Sequence, residues 1–526
     1  MIVGLFFLAG SLIPGILPRP WQVQGVVSGL ALAIGYGIGS TTAGVWHRFR
    51  REVQIRKWPT IAALVASTAL VIWSLIIHAL WRADVAVLMD TELPLLPYLP
   101  RVLVTAFVAG LFLILLGRGL HAVFRSYRRL LSRMVPGWLA VLVTLLTAGV
   151  AAVLFFDLVL LSRVVPAVEE AHRTSDRRFE PGITPPNSEA LAGGPKSLID
   201  WATMGSQGRA FVAQTPTTTE LAAFSGNRPL EPVRIYVGLE TAHDAEARAA
   251  LAVDEMERAG AFDRQVIVLI APTGSGWIDP YAIDGIEYMY NGDTAAVAVQ
   301  YSYLASWMVM IGNQDLASDA ARALLSEVLE RLDQEPDGDR PMLLLYGESL
   351  GAFGWERLFE DLGDVIDTVD GALWVGPPRS GKLWQSLVAR RDAGSPVWQP
   401  VYREGQTVRF GADGEALASP DSRWDPPRVV YLQHPSDPIT WWTPELLLKR
   451  PEWLDPPLGT DISHHMPYLP VVTFWHIAVD LAVGTNAPPG HGHKFGTAQP
   501  EAWSLIAPPA GWTTADTERL VAVFDE

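Results

Sequence analysis

The chain opens on apolar runs too long for a globular core. Thr60 to Leu80 carries no charge, and Gly137 to Leu161 carries only Asp157; about 20 such residues in helical form cross the hydrocarbon of a bilayer. Val102 to Leu116 reads as a third span and Gly25 to Val45 as a Gly-rich fourth. Ile2 to Leu17, broken by Pro14, is a weaker fifth. Because more spans follow without a small-residue cleavage site, the first run is read as a span and not as a signal peptide. Residues 1–165 are thus expected to form an α-helical transmembrane bundle of about five spans.

The pattern then changes twice. Residues 166–232 contain "FEPGITPPNSEALAGGP", whose Pro, Gly and Ser mark a linker or cap segment. From 233 to 526 short, continuous apolar runs take over: Val233 to Leu239, Gln265 to Ala271, a run from Ala296, Pro341 to Gly347, Gly371 to Gly376 and Arg428 to Gln433. Helical patterns near Ala245 to Ala259, Ser318 to Leu332 and Val471 to Val483 separate them. Buried runs alternating with helices predict an α/β domain, a mostly parallel sheet covered on both faces. The Arg-, Gly- and Pro-rich stretch 384–422, between two strands, is the expected place for a cap insertion.

Charge orients the bundle. One short loop carries Arg48, Arg50, Arg51, Arg56 and Lys57, another carries Arg118, Arg125, Arg128, Arg129 and Arg133, and the stretch from Arg82 to Arg101 between them is slightly acidic. The positive-inside rule puts the two basic loops in the cytoplasm, and an odd number of spans then leaves everything after Leu161 outside. Residues 1–165 hold 14 Lys+Arg against 5 Asp+Glu, a balance of +9, and the remainder holds 26 against 51, a balance of −25. So acidic an outer part excludes nucleic acid and tight binding to anionic headgroups, leaving the bilayer itself as the partner. The absence of Cys is compatible with an extracytoplasmic site. The sequence carries no signal for the oligomeric state.

The chemistry centres on "MLLLYGESLGAFG", Met342 to Gly354, which sets Ser349 between two glycines where an apolar strand turns into a helix. Small flanking residues let a serine project above the sheet on a sharp turn, and the N–H of Leu350, opening the helix, would face a developing oxyanion. An acid and a histidine should follow in that order. Asp437, in "HPSDPITWW" just past a strand, is the candidate acid, with Asp425 and Asp461 as weaker ones. "PPGHGHKFG" offers His491 and His493, of which His493 follows the more flexible pair and is preferred as the base. No acidic or Cys partner is spaced to complete a zinc site there, so no metal is expected. The loop "APTGSGWIDP" follows a strand, and Thr273, Gly274 and Ser275 are candidates for the second oxyanion donor. It lacks the Lys-Ser/Thr of a phosphate-binding loop and is too short for a dinucleotide fingerprint, so no cofactor is expected.

Together the spans, "TGSGW", "GESLG", the Asp after a late strand and "GHGHKFG" make the chain similar to the bacterial alpha/beta-hydrolase family with an N-terminal multi-spanning membrane domain. The likeness covers nearly the whole chain. It implies an alpha/beta-hydrolase fold, with Ser349, Asp437 and one of His491 or His493 in the triad positions. It also implies a multi-pass protein of the bacterial inner membrane, its catalytic domain on the periplasmic side. Trp277, Trp441 and Trp442, with Trp374 nearby, are expected to line the mouth of the site and to select an apolar ester or lipid. Three functions are compatible with these residues: a serine esterase or lipase, an acyltransferase using the same triad, and a membrane scaffold retaining a hydrolase shell. The Ser, Asp and His in order, and the scarcity of charge within the spans, weigh against the last.

Overall fold

The computed structural model describes residues 1–49, 57–334 and 340–525, which fall into two compact units. One comprises Met1–Val168 with Pro444–Leu454 and Thr460–Val483; the other comprises Glu169–Thr443, Asp455–Gly459 and Gly484–Glu526. Arg50, Arg51 and Arg56 of the first basic loop lie outside the described residues.

In the first unit the long apolar runs are helices: α1 (Ile2–Ser11), α2 (Trp21–Phe49), α3 (Lys57–Leu88), α4 (Leu95–Leu131) and α5 (Gly137–Phe155), the last continuing through a π-helical stretch, Phe156–Val164. Among the described residues four helices are long and apolar enough to cross a membrane. The expected fifth span is not one of them. With 10 residues α1 reaches only about 15 Å at 1.5 Å per residue, because Pro14, Pro18 and Pro20 prevent its extension. The glycines of α2 allow close backbone approach: a Cβ on Gly29 would lie 2.8 Å from the Gly110 nitrogen of α4, and one on Gly35 would lie 2.6 Å from the Val3 carbonyl of α1.

The second unit is built on a seven-stranded sheet ordered β1-β3-β2-β4-β5-β7-β6. Its strands are β1 (Val233–Val237), β2 (Val266–Ala271), β3 (Thr294–Val299), β4 (Met342–Glu348), β5 (Gly371–Val375), β6 (Val408–Gly411) and β7 (Arg428–Leu432). Every neighbouring pair is parallel, and helices cover the faces, which is why most strands read as unbroken apolar runs. The stretch 384–422 contributes β6 to the sheet edge and is not a simple cap. Its signature is blurred by Arg409, buried in that strand with its guanidinium donating to the carbonyls of Gly405, Leu417 and Ser422. Residues 169–232 likewise belong to this unit: Leu191 pairs with Arg234 at the free edge of β1, and the helices Gly205–Ala213 and Thr218–Ser225 follow.

Parallel strands bring their C-terminal ends to one edge. Ala271 is opposite Gly347, Glu348 opposite Val375, and Val375 opposite Leu432, so the loops after β2, β4, β5 and β7 leave the sheet side by side. In an open parallel sheet this edge is where ligands bind.

Candidate active site

Ser349 directly follows β4 and precedes the helix Leu350–Glu356 with φ 55° and ψ −115°, a positive-φ conformation seldom adopted by a side-chain-bearing residue. The two flanking glycines are dictated by contact. A Cβ on Gly347 would lie 2.6 Å from the Ala352 nitrogen, and one on Gly351 would lie 2.0 Å from the Ala271 carbonyl oxygen. The turn is pinned to the next strand, since the Ser349 N–H donates to the Val375 carbonyl at 2.7 Å.

Asp437 caps the helix Pro438–Trp441 just beyond β7, accepting from the Ile439 N–H at 2.9 Å. Its other oxygen lies 2.7 Å from Nδ1 of His493, and both side chains are buried. His493 sits in the Gly-rich loop, its ring against Gly376 so closely that a Cβ there would be 2.5 Å from Cε1. Gly376 directly follows Val375, whose carbonyl accepts from the Ser349 N–H, so the ring and the serine turn both adjoin the end of β5. Nε2 has no hydrogen-bond partner among the described residues. Burial pushes the imidazole pKa down, but the charge and hydrogen bond of Asp437, helped by Glu348, outweigh it and hold it above the ordinary value.

The Gly-rich loop carrying His493 is itself supported. The Gly492 N–H donates to Ser436 Oγ at 2.8 Å, the His434 ring meets the Gly492 carbonyl at 2.9 Å, and the His493 N–H donates to the Gly484 carbonyl at 3.1 Å. Phe495 stacks on His434 and meets His493 edge-on. His491 is two residues from that position: its N–H donates to the Pro488 carbonyl and its ring faces His434 at 6.5 Å. Of the weaker acids, Asp425 pairs with Arg423 on the surface and Asp461 belongs to the other unit.

Among the loop donors, the Thr273 N–H is engaged by the Trp277 carbonyl at 3.0 Å and the Gly274 N–H by Ser306 Oγ at 3.0 Å. Of the three, Ser275 keeps a backbone N–H without a protein acceptor among the described residues. Trp441 does not line an opening: it is fully buried, its indole N–H donating to the His434 carbonyl at 3.0 Å and its ring edge-on to Trp384. Trp374 is buried in the sheet against Tyr431. Trp442 is partly buried and Trp277 is exposed.

A further carboxyl, inside the serine motif itself, adjoins His493. The buried Glu348 carboxyl lies 3.9 Å from His493 Nε2 and is pushed up to about 8 by burial and by Asp279. Asp279, raised to about 6 by burial, connects through Gln499 to Tyr346, whose hydroxyl also reaches Glu348. A glutamate at the variable position of a Gly-x-Ser-x-Gly pattern gives no local sign that it faces inward; only the pleat of β4 determines that.

A family model described as "Alpha/beta-hydrolase family" matches residues 233–520, and one described as "Alpha/beta-hydrolase family N-terminus" matches residues 12–216. No curated protein and no solved structure matches the chain.

Proposed function

The chain belongs to the alpha/beta-hydrolase family, and on that premise we propose that it is a membrane-anchored serine hydrolase of the esterase or lipase type acting on an apolar acyl ester. The observation that carries this reading is the 2.7 Å contact of Asp437 with His493 Nδ1 beside a serine held at positive φ. Asp437 keeps the Nδ1 proton in place, so Nε2 is the face that accepts a proton. Ser349 Oγ attacks the acyl carbon, its proton passes to Nε2, and the carbonyl oxygen becomes an oxyanion received by the N–H groups of Leu350 and Ser275. The ester C–O bond then breaks, the alcohol leaves with the proton from Nε2, and water repeats the sequence to release the acid.

An apolar substrate is supported by the surroundings of the oxyanion loop. Ser306, which binds Gly274, opens the helix Ser306–Gly312, and Trp307 and Ile311 on that helix are exposed, as is Trp277. Such a group of exposed apolar side chains suits an acyl chain.

An extracytoplasmic catalytic unit is supported without an odd number of spans. The segment 460–483, which lies in the chain between Asp437 and His493, packs within the first unit on Arg19, before α2, and on Asp84, near the end of α3. The basic residues Arg125, Arg128 and Arg129 sit at the far end of α4, whose start carries Tyr98, stacked on His78 of α3. Four spans with the basic ends inside leave both this segment and the chain after α5 outside.

Ser349→Ala should abolish hydrolysis of short p-nitrophenyl esters while leaving the fold intact; more than a few per cent of residual activity would eliminate the serine mechanism.

A further inference from the structure

A second cluster of chemistry-bearing side chains lies in the membrane unit, away from the serine. Asp84, near the C-terminal end of α3, meets His464 and His465, two adjacent residues some 380 positions later in the chain. One ligand atom from each of the three lies within 4.8 Å of the others. His464 Nδ1 is 3.0 Å from Asp84 Oδ2, and the two imidazole centroids are 4.0 Å apart.

The backbone prepares this arrangement. A turn closed by the Met466 N–H donating to the Ser463 carbonyl at 3.0 Å puts both histidines at its two central positions, and buried Ile462 and Met466 anchor its flanks. Ser463 Oγ donates to Asp84 Oδ2 at 2.6 Å and accepts from the His465 N–H at 3.1 Å. A hydroxyl that donates to a carboxylate and fixes its orientation is the kind of support metal ligands receive from their neighbours. The His464–Asp84 contact alone reads as an ion pair, but an ion pair has no use for a second imidazole. His465 is half-buried against the first ring, and no hydrogen bond reaches its nitrogens among the described residues.

We propose that Asp84, His464 and His465 bind one divalent transition-metal ion, with zinc the best match, and that the ion ties the segment between β7 and the His493 loop to helix α3. Two imidazoles and one carboxylate are a zinc-type donor set, and three protein ligands leave a fourth position for water. Ligand atoms around tetrahedral zinc, each about 2.0–2.2 Å from the ion, stand about 3.3–3.5 Å apart. His464 is exposed, so a rotamer adjustment of about an ångström closes the site. Ligands drawn from two segments so distant in sequence make metal affinity a stabilising contact of the folded chain, absent from the unfolded one.

The test uses the full-length protein in detergent, freed of any histidine tag and stripped with chelator. Calorimetric titration with Zn2+ should show one ion per chain at micromolar affinity or tighter. Zn2+ should raise the unfolding temperature by several degrees, and Co2+ should give the visible absorption of a four-coordinate ion. His465→Gln, which breaks no hydrogen bond of the metal-free protein, should weaken binding at least tenfold and remove the thermal shift. Asp84→Asn should do the same. Absence of stoichiometric binding at 100-fold excess Zn2+ would overturn the proposal. So would binding that survives both substitutions unchanged, which would put the ion elsewhere and leave His464–Asp84 as a simple ion pair.

Discussion

His493 stands between two carboxyls: Asp437 lies 2.7 Å from its Nδ1, and Glu348 lies 3.9 Å from its Nε2. The two are not equivalent. Asp437 accepts from the Ile439 N–H and from Thr440 Oγ1 as well as meeting the imidazole, contacts that suit an anion. Glu348, whose one hydrogen-bond contact among the described residues is a long one from Tyr346, is pushed up to about 8 by burial and by Asp279.

The buried Glu348 makes stability fall with rising pH. Its folded pKa of about 8 is above the ordinary 4.5, so between those values the unfolded chain ionises it and the folded chain does not. The stabilisation is fully present below pH 4.5 and is lost as pH rises through 8. Glu348→Gln should therefore raise the unfolding temperature more at pH 9 than at pH 5, by several degrees in difference. Asp279, raised to about 6, adds a slope of the same sign that the variant keeps. Parallel wild-type and variant curves would mean that Glu348 is ionised in the fold.

The two histidines of the Gly-rich loop should separate in kinetics. His493→Ala should lower kcat on p-nitrophenyl esters by about a thousandfold or more, as loss of a general base does. His491→Ala should cost about tenfold or less, through loop geometry. Reversed losses would assign the base to His491 and leave the 2.7 Å contact with Asp437 without a catalytic meaning.

The membrane unit contains a buried ion pair that should govern its stability. Arg19 and Asp480, both buried, meet at 2.6 Å, and the Ile16 N–H also donates to the carboxylate. Arg19→Met strands Asp480 and should cost about 3–5 kcal/mol, read as a lower unfolding temperature in detergent. Arg19→Met with Asp480→Leu should recover most of it. An unchanged single variant would show that the pair contributes nothing.

What the sequence disclosed and what it hid divide by the range of the interaction. Apolar runs such as Val266–Ala271 announce buried strands because each lies between helices, and Gly347 and Gly351 announce the serine turn because the close approach is local. The strand β6 escaped because Arg409 interrupts its apolar pattern while finding carbonyl partners only in the fold. Trp441 read as a mouth residue because an indole looks alike in a core and at an opening; its partner, the His434 carbonyl, belongs to the tertiary structure. Arg19 with Asp480 and Asp84 with His464 are hundreds of residues apart, and no local pattern marks either pair.

The central claim, that Ser349 is a nucleophile activated by His493 and Asp437, is tested most directly by a fluorophosphonate and intact-protein mass spectrometry. The detergent-solubilised wild-type protein should gain one adduct, mapping by peptide fragmentation to Ser349. Ser349→Ala should gain none, and Asp437→Asn should react at least a hundredfold more slowly. A wild-type chain that takes no adduct after prolonged exposure, or an adduct that maps to another residue and persists in Ser349→Ala, would contradict the account.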